Sequence, residues 1–385
     1  MIKACTNGNL GDDLFVRIIL ERYKSSPIQF FLLVYKIEDY QYLLNEYPKL
    51  VLIKYPTPKM LLRILAKLQE SLAHSSRLKQ YGYEKAYHPL FDEKFDIFIN
   101  IGGSQFTEYE GESFLLSLYL EELMIRNIKA KTMLLINVNF GPFVTEKYKE
   151  KCEAVFKKYS RIIFRDQYSA QLFSKISQVT YIPDIVLGFD FKKRIGEDIT
   201  QEEMIGINVI NLWENKRTYQ ERKKYIENYE KTIHAVIDYI TKLKMKVCII
   251  GFSSEKSEEI YINHIIACAK RRNPFVVIKK CIYNGKNINE VFRCIAECRG
   301  LLSTRFHALI IGMALGKCQY PICYDSKLTN FIKSINYTDP YSLLNDISSP
   351  EDIADYLIHG NPSDYKHVID ASKEHFTFMD LAIIE

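Results

Sequence analysis

In LLSTRFHALIIGMALG, residues 301–316, Arg305 and His307 stand two apart at the head of an apolar run. A charge buried there needs a partner, because an unpaired one is strongly destabilising. A guanidinium grips a carboxylate or phosphate with two parallel hydrogen bonds. An imidazole beside an anion can hold a proton near neutral pH and release it. The residues alone leave a second reading equally open: an arginine paired to an internal carboxylate and a histidine satisfied by a backbone carbonyl. Ser303 and Thr304 are types that begin helices, so Arg305 and His307 are expected in the first turn of a buried helix. Free N–H groups and the helix dipole favour an anion at that position. Arg165 ends the apolar run of RIIFRD and offers a second cation, with a surface pair to Asp166 as its alternative.

Other segments that carry Gly, Ser or Asp follow apolar runs: NGNLGDD (7–13), IGGSQF (101–106), NVNFGPF (137–143), GFSSE (251–255) and YDSKLTNF (324–331). None is a dinucleotide fingerprint or a P-loop, since G-x-G-x-x-G and G-K-[ST] are both absent from NGNLGDD. Asp12 and Asp13 either cap the first helix or face a substrate.

The elements that must position these residues can be read from periodicity. Runs at 28–35, 50–55, 95–103, 132–141, 161–166 and 179–185 have the length and β-branched or aromatic content of strands. Helical spacing falls between them, at 14–23, 59–79, 112–127, 146–159 and 169–177. The alternation restarts at residue 204 and continues through 325. Near-continuous apolar strands separated by helices predict parallel sheets covered on both faces. Ligands of such sheets bind at the carboxyl ends of the strands. A polar join without periodicity, residues 188–201, divides the chain. The expected organisation is an α/β fold with one Rossmann-like lobe over 1–190, a second over 200–345, and C-terminal helices over 346–385 that pack back on the first lobe.

Composition narrows the function. Of 385 residues, 47% are hydrophobic and 26% charged, which suits a folded globular chain rather than a disordered one. A net charge of +5 suits an anionic ligand but falls short of a nucleic-acid footprint. The aromatic residues are spread through strands and helices instead of alternating with a basic stripe, so no nucleic-acid partner is expected. No long uncharged apolar run suggests a membrane span. Met1 leads into IKACTNGNLGDD without an apolar leader, and the nine cysteines are expected as buried free thiols in the cytoplasm. Cys294 and Cys298 are spaced one helical turn apart, but no second ligand pair lies near in sequence, so no metal site is expected.

Taken in order, NGNLGDD, IGGSQF, NFGPF, FRDQYSAQLF, IPD and STRFHALIIGMALGKCQYPICYDSKLTNFIKSIN resemble the polysaccharide pyruvyl transferase family, over about residues 5–337. The family pattern [ST]-x-R-x-H-A, followed by a helix, a strand and a Y-D-x-K turn, is filled by Ser303, Arg305, His307, Ala308, Tyr324, Asp325 and Lys327. The resemblance implies two lobes in a glycosyltransferase B-type arrangement. It implies transfer of a pyruvyl group from phosphoenolpyruvate to two hydroxyls of a sugar as a cyclic ketal, in surface or capsular polysaccharide biosynthesis, without a tightly bound cofactor. Phosphoenolpyruvate would be held by Arg165, Arg305, His307, Ser303 and Lys327, with His307 and Arg305 catalytic and His307 as the general acid. The acceptor would meet Asn9, Asp12, Asp13, Ser104 and Gln105 in the first lobe. Three departures fall in that lobe: the first strand is cut to MIKACT, which predicts a frayed edge, the family's G-G-G-S reads I-G-G-S, and its G-D-E reads Gly11-Asp12-Asp13. A lipid-linked acceptor would bring the protein to the inner membrane face, where residues 59–82 could lie as a basic amphipathic helix instead of packing on the surface. The competing functions are a B-type glycosyltransferase using a nucleotide sugar and a non-enzymatic scaffold of a polysaccharide assembly complex.

Overall fold

The computed structural model describes residues 1–5, 8–64, 67, 77–109, 115–196, 199–214 and 219–384. The first lobe runs β1 (Ile2–Lys3), α1 (Leu10–Arg22), β2 (Phe30–Val34), α2 (Leu43–Glu46), β3 (Leu50–Lys54), α3 (Arg77–Phe91), β4 (Lys94–Ile101), α4 (Leu115–Asn127), β5 (Lys129–Val138), α5 (Glu146–Phe156), β6 (Arg161–Phe164), α6 (Gln167–Leu172) and β7 (Val179–Tyr181). A 3₁₀ turn (Ile185–Gly188) and α7 (Phe191–Ile195) lead out of it. The second lobe runs β8 (Met204–Asn208), α8 (Tyr219–Lys242), β9 (Lys246–Gly251), α9 (Lys256–Arg272), β10 (Ile278–Ile282), α10 (Ile288–Glu297), β11 (Gly300–Ser303), α11 (Phe306–Ala314), β12 (Cys318–Cys323), α12 (Ser326–Ser334) and β13 (Ser342–Leu343). The tail holds α13 (Pro350–His359), α14 (Lys366–Ser372) and α15 (Glu374–Ile384).

Each lobe is one parallel sheet, in the orders β3-β2-β1-β4-β5-β6-β7 and β10-β9-β8-β11-β12-β13. The continuous apolar runs are the cause. Every residue of β8 is buried, as befits a strand covered on both faces. The short first strand is not a frayed edge. It lies in the middle of its sheet, with Ile2 opposite both Leu32 and Ile99. The doubly wound order sends later strands outward from the first, so the edges fall to β3 and β7.

Several boundaries differ from the periodicity reading. Helix α1 begins at Leu10, not residue 14, because Asn9 is the cap: its Oδ1 accepts the Gly11 N–H at 3.1 Å. The polar join contains α7, capped by Asp190, and Arg194 on it reaches Glu21, Glu46 and Asn289. The expected helices at 59–79 and 112–127 lie partly outside the described residues. Within them, residues 60–64 are helical, and Met60, Leu61 and Ile64 are exposed. The tail divides. Helix α13 stays on the second lobe, because Ile353, Ala354, Leu357 and Ile358 are buried in its core and the Leu357 backbone sits against Gly300. Helix α15 does return to the first lobe, with Asp380 bonded to Arg22 and Tyr23 and His375 bonded to the Pro183 carbonyl.

The core explains how the lobes stay together. One apolar cluster under the first sheet includes Leu135, Phe156 and Phe164, and another in the second lobe includes Ile207, Ile237 and Ile249. A third runs through both lobes and joins Leu10, Phe15 and Ile136 to Cys248, Leu309 and Ile310. Backbone hydrogen bonds reinforce it: Leu10 N–H donates to the Phe252 carbonyl and Ser254 N–H to the Gly8 carbonyl, both at 2.9 Å. On the other side, Gln167 bonds to Ser334 through backbone and side chain. Among the described residues, no helix is long and apolar enough to cross a membrane.

Candidate active site

The carboxyl ends of both sheets meet at a cavity of about 600 Å³. Its walls come from the residues after β1, β2, β3, β4, β6, β9, β11 and β12, with side chains of α1, α3 and α4. In each sheet the strand order reverses at the centre, between β1 and β4 and between β8 and β11, and a crevice opens where the following chains diverge.

Arg165 follows β6 and is almost fully buried. Its Nη1 donates to Asp184 Oδ2 at 2.9 Å and its Nη2 to Asn139 Oδ1 at 2.7 Å. Its guanidinium carbon lies 4.1 Å from the centroid of the Phe306 ring, which belongs to the other lobe. Asp166 is not its partner: that carboxylate caps α6 by accepting the Ser169 N–H at 2.8 Å. The guanidinium occupies the space that a Cβ at Gly103 would need. Glycine in IGGS is therefore a clearance for an arginine already fixed by two partners.

Arg305 is itself the N-cap residue of α11, rather than a residue inside its first turn. Its N–H donates to Asn208 Oδ1 at 2.9 Å, and its guanidinium pairs with Glu258. Glu258 also accepts the N–H groups of Phe252 and Ser253, at 2.5 and 2.9 Å. Both arginines thus have internal carboxylates and still line the cavity. The internal carboxylate of the second sequence reading is present for each arginine, and it fixes the guanidinium without using all five of its donors. Nε of Arg305 is buried with no hydrogen-bond partner in the described structure.

His307 lies one residue inside α11. Its ring meets Phe15 of the first lobe edge-on at 5.1 Å and occupies the space that a Cβ at Gly11 would need. Its Nε2 is buried without a partner. Burial, and then the nearby cations Arg165, Lys327 and Arg305, hold the imidazole well below its ordinary range. It is therefore uncharged at neutral pH. Lys327 stands near Asp325 Oδ2 at 3.4 Å. Burial pulls its ammonium pKa down, but Asp325 and Tyr324 more than offset this, so it remains a cation.

The adjacent aspartates have opposite surroundings. Asp12 lines the cavity, and no hydrogen bond or ion pair joins its carboxyl to the described residues. Burial and then Asp13 push it up to about 7, against the pull of Arg165, Lys327 and Arg305. Asp13 points away from the cavity and accepts the hydroxyls of Tyr40 at 2.5 Å and of Tyr283, in the second lobe, at 2.7 Å. Burial raises its carboxyl to about 6 against these hydrogen bonds. It ties the lobes together and does not reach the cavity.

The structure therefore brings Asn9, Asp12, Ser104, Gln105, Arg165, Arg305, His307 and Lys327 to one cavity. Ser104 Oγ donates to Asn139 Oδ1 at 3.2 Å, and Gln105 Oε1 accepts from Lys3 Nζ at 3.1 Å. Ser303 is not among them. It is fully buried behind the wall, with Oγ donating to Gln319 Oε1 at 2.6 Å, because it is the last residue of β11 and faces the core. Sequence reading missed the residues that aim the arginines: Asp184, Asn139 and Glu258. Two of them lay inside segments already singled out, IPD and NFGPF, where a polar residue closing an apolar strand was the available signal. Glu258 had no such mark among Glu255, Glu258 and Glu259.

Cys294 and Cys298 do have neighbours that sequence distance concealed. Cys248 on β9 and Cys281 on β10 share one buried cluster with Cys294 and Cys298, and Cys298 Sγ donates to the Cys294 carbonyl at 3.0 Å. Among the described residues no group of three or more His, Cys, Asp or Glu is placed to hold a metal ion.

A family model described as polysaccharide pyruvyl transferase matches residues 9–326. The amylovoran biosynthesis protein AmsJ of Erwinia amylovora is 21% identical over 258 residues, covering 63% of this chain and 60% of that protein. The chain thus spans less than two thirds of that relative's length. Among solved structures, a protein assigned as a UDP-N-acetylglucosamine 2-epimerase from Listeria monocytogenes superposes with a TM-score of 0.54 at 8% identity, covering 98% of this chain and 96% of that one. A second UDP-N-acetylglucosamine 2-epimerase gives 0.52 at 9% identity, covering 98% and 95%. Such identities speak to fold alone: two Rossmann-like lobes in the B-type glycosyltransferase arrangement.

Proposed function

The chain belongs to the polysaccharide pyruvyl transferase family, and from that premise we propose that it moves a pyruvyl group from phosphoenolpyruvate to two hydroxyls of a saccharide, closing a cyclic ketal during surface or capsular polysaccharide assembly. The observation that supports this most is the convergence of Arg165, Arg305 and Lys327 on one cavity with an uncharged histidine between them. A small ligand bearing both a carboxylate and a phosphate matches that charge. Because Asp184, Asn139 and Glu258 already fix the guanidiniums, little reorganisation is needed when charge develops on the donor.

The reaction needs one proton delivered to the methylene carbon of the donor and two removed from the saccharide hydroxyls. The first hydroxyl oxygen bonds to the adjacent carbon, phosphate leaves with one of those protons, and the second oxygen closes the ring. Asp12, its carboxyl raised to about 7, holds a proton that it can give to the methylene carbon, and its carboxylate then takes the proton of the second hydroxyl as the ring closes. His307, uncharged, can take the proton of the attacking hydroxyl and pass it to the departing phosphate. This reverses the acid role expected of His307. We place the reaction in the cytoplasm, at the inner membrane face if the saccharide is lipid-linked.

Calorimetric titration with phosphoenolpyruvate, for the wild type and Arg305→Ala, tests the donor assignment, with a nucleotide sugar as comparison. Binding of phosphoenolpyruvate that the variant loses, and no binding of the nucleotide sugar, is the expected result. The reverse preference would assign the cavity to glycosyl transfer.

A further inference from the structure

The first-lobe end of the cavity differs from the cationic end. Strands β2 and β3 pair in register, with Val34 opposite Lys54. The next residues, Tyr35 and Tyr55, therefore emerge side by side at the carboxyl edge. Their rings stack with centroids 4.6 Å apart and planes inclined by 21°. That spacing admits nothing between them, so only an outer face is available to a ligand. Tyr35 is 55% exposed, the feature of a ring that offers such a face. Tyr83 and Tyr87, one turn apart on α3, line the same end. The floor is polar but balanced. Lys3 Nζ lies 2.5 Å from a Glu121 oxygen, and Lys3 also donates to Gln105.

We propose that this tyrosine end is the saccharide subsite: an uncharged pyranose ring lays its C–H face on the Tyr35–Tyr55 pair and turns its hydroxyls to the floor at Lys3 and Glu121. The inference rests on the pyruvyl transfer reading for the identity of the second substrate. The chemistry of the wall carries the rest. An aromatic face beside hydrogen-bonding groups suits a ring that is apolar on one side and hydroxylated at its rim. Here the cation and its carboxylate both line the cavity, whereas the other end turns Arg165, Arg305 and Lys327 inward and keeps Asp184, Glu258 and Asp325 behind the wall, so this end does not select an anion as the other does. The cavity is continuous, so a ring seated here has its free hydroxyls directed along the walls toward Arg165 and His307.

The test uses the full chain on a printed array of bacterial surface oligosaccharides, with and without phosphoenolpyruvate, beside calorimetry with phosphoenolpyruvate alone. The wild type is expected to bind one or more saccharides. Tyr35→Ala and Tyr55→Ala should weaken that binding about tenfold, while their affinity for phosphoenolpyruvate stays within about twofold. Tyr35→Trp, which keeps an aromatic face, should retain saccharide binding, separating lost stacking from lost structure. Saccharide binding unchanged in both alanine variants, or absent from the wild type in both conditions, overturns the subsite. So does tyrosine-dependent binding of a free nucleoside monophosphate with no saccharide bound. Tyrosine-dependent saccharide binding by a protein that ignores phosphoenolpyruvate leaves the subsite standing and removes the donor reading instead.

Discussion

The two ends of the cavity are built by different rules. At the cationic end each charged group is committed before any ligand arrives: Arg165 to Asp184 and Asn139, Arg305 to Glu258, Lys327 to Asp325. His307 and Arg165 also occupy volumes left open by Gly11 and Gly103. At the tyrosine end the rings lean on one another, and Tyr35 stands half in solvent. A rigid site whose cations face the cavity and whose carboxylates stand behind it suits a ligand of one shape and fixed charge. A wall of aromatic rings, with Tyr35 half in solvent, accommodates rings that differ in their substituents. Errors at the first end should therefore damage the fold as well as binding, and errors at the second should damage binding alone.

The sharpest way to break this contrast is Arg165→Met. It leaves Asp184 buried without its cation, and a loss of about 3–5 kcal/mol is expected, read by denaturant unfolding, together with loss of phosphoenolpyruvate binding. Tyr35→Ala in the same assay should change stability by no more than about 0.5 kcal/mol. Comparable losses at both ends would erase the distinction. Gly11→Ala comes next. Its methyl group must displace the His307 ring, for about 1–3 kcal/mol, and donor affinity should fall with it. A variant of unaltered stability and affinity would show that the clearance is not needed.

Asp12→Asn separates charge from packing. The Asp12 carboxyl rises from its ordinary 3.8 to about 7 on folding, so the folded state holds that proton more tightly. Its contribution to stability is full below about pH 4 and is lost as the pH rises through about 7. The asparagine variant lacks this slope, so it should gain on the wild type across that interval, by up to about 4 kcal/mol at pH 8, in melts taken across the range. A difference independent of pH would remove the raised carboxyl from the account. Tyr283→Phe tests the seam behind the cavity. It deletes one hydrogen bond to Asp13, about 1 kcal/mol, and should leave donor affinity unchanged, because Asp13 lies outside the cavity.

The same contrast explains what could be read in the sequence. Arg305, His307 and Lys327 fall within one short stretch, and a charged pair heading an apolar helix is conspicuous in one dimension. The alternating apolar runs also carried the two parallel sheets, since strands buried on both faces have few polar residues. The tyrosine wall is assembled from β2, β3 and α3, and a tyrosine after a strand looks like any other among 27. Ser303 misled because its type suits a helix cap, whereas strand alternation turned it toward Gln319. Glu258 and Asp184 stayed hidden because their partners lie 47 and 19 residues away.

The interlobe seam has a consequence for recombination. Gly8 and Leu10 hydrogen-bond with Ser254 and Phe252, Asp13 with Tyr283, and Phe306 covers Arg165. Each contact joins a motif of one half to a motif of the other. A chimera that takes one half from a relative must therefore bring matching residues on both sides of the seam, or the helix carrying Arg305 and His307 will dock against a surface shaped for another sequence. Exchange of acceptor preference between relatives is easier through small grafts at the ends of β2 and β3, which the seam does not touch.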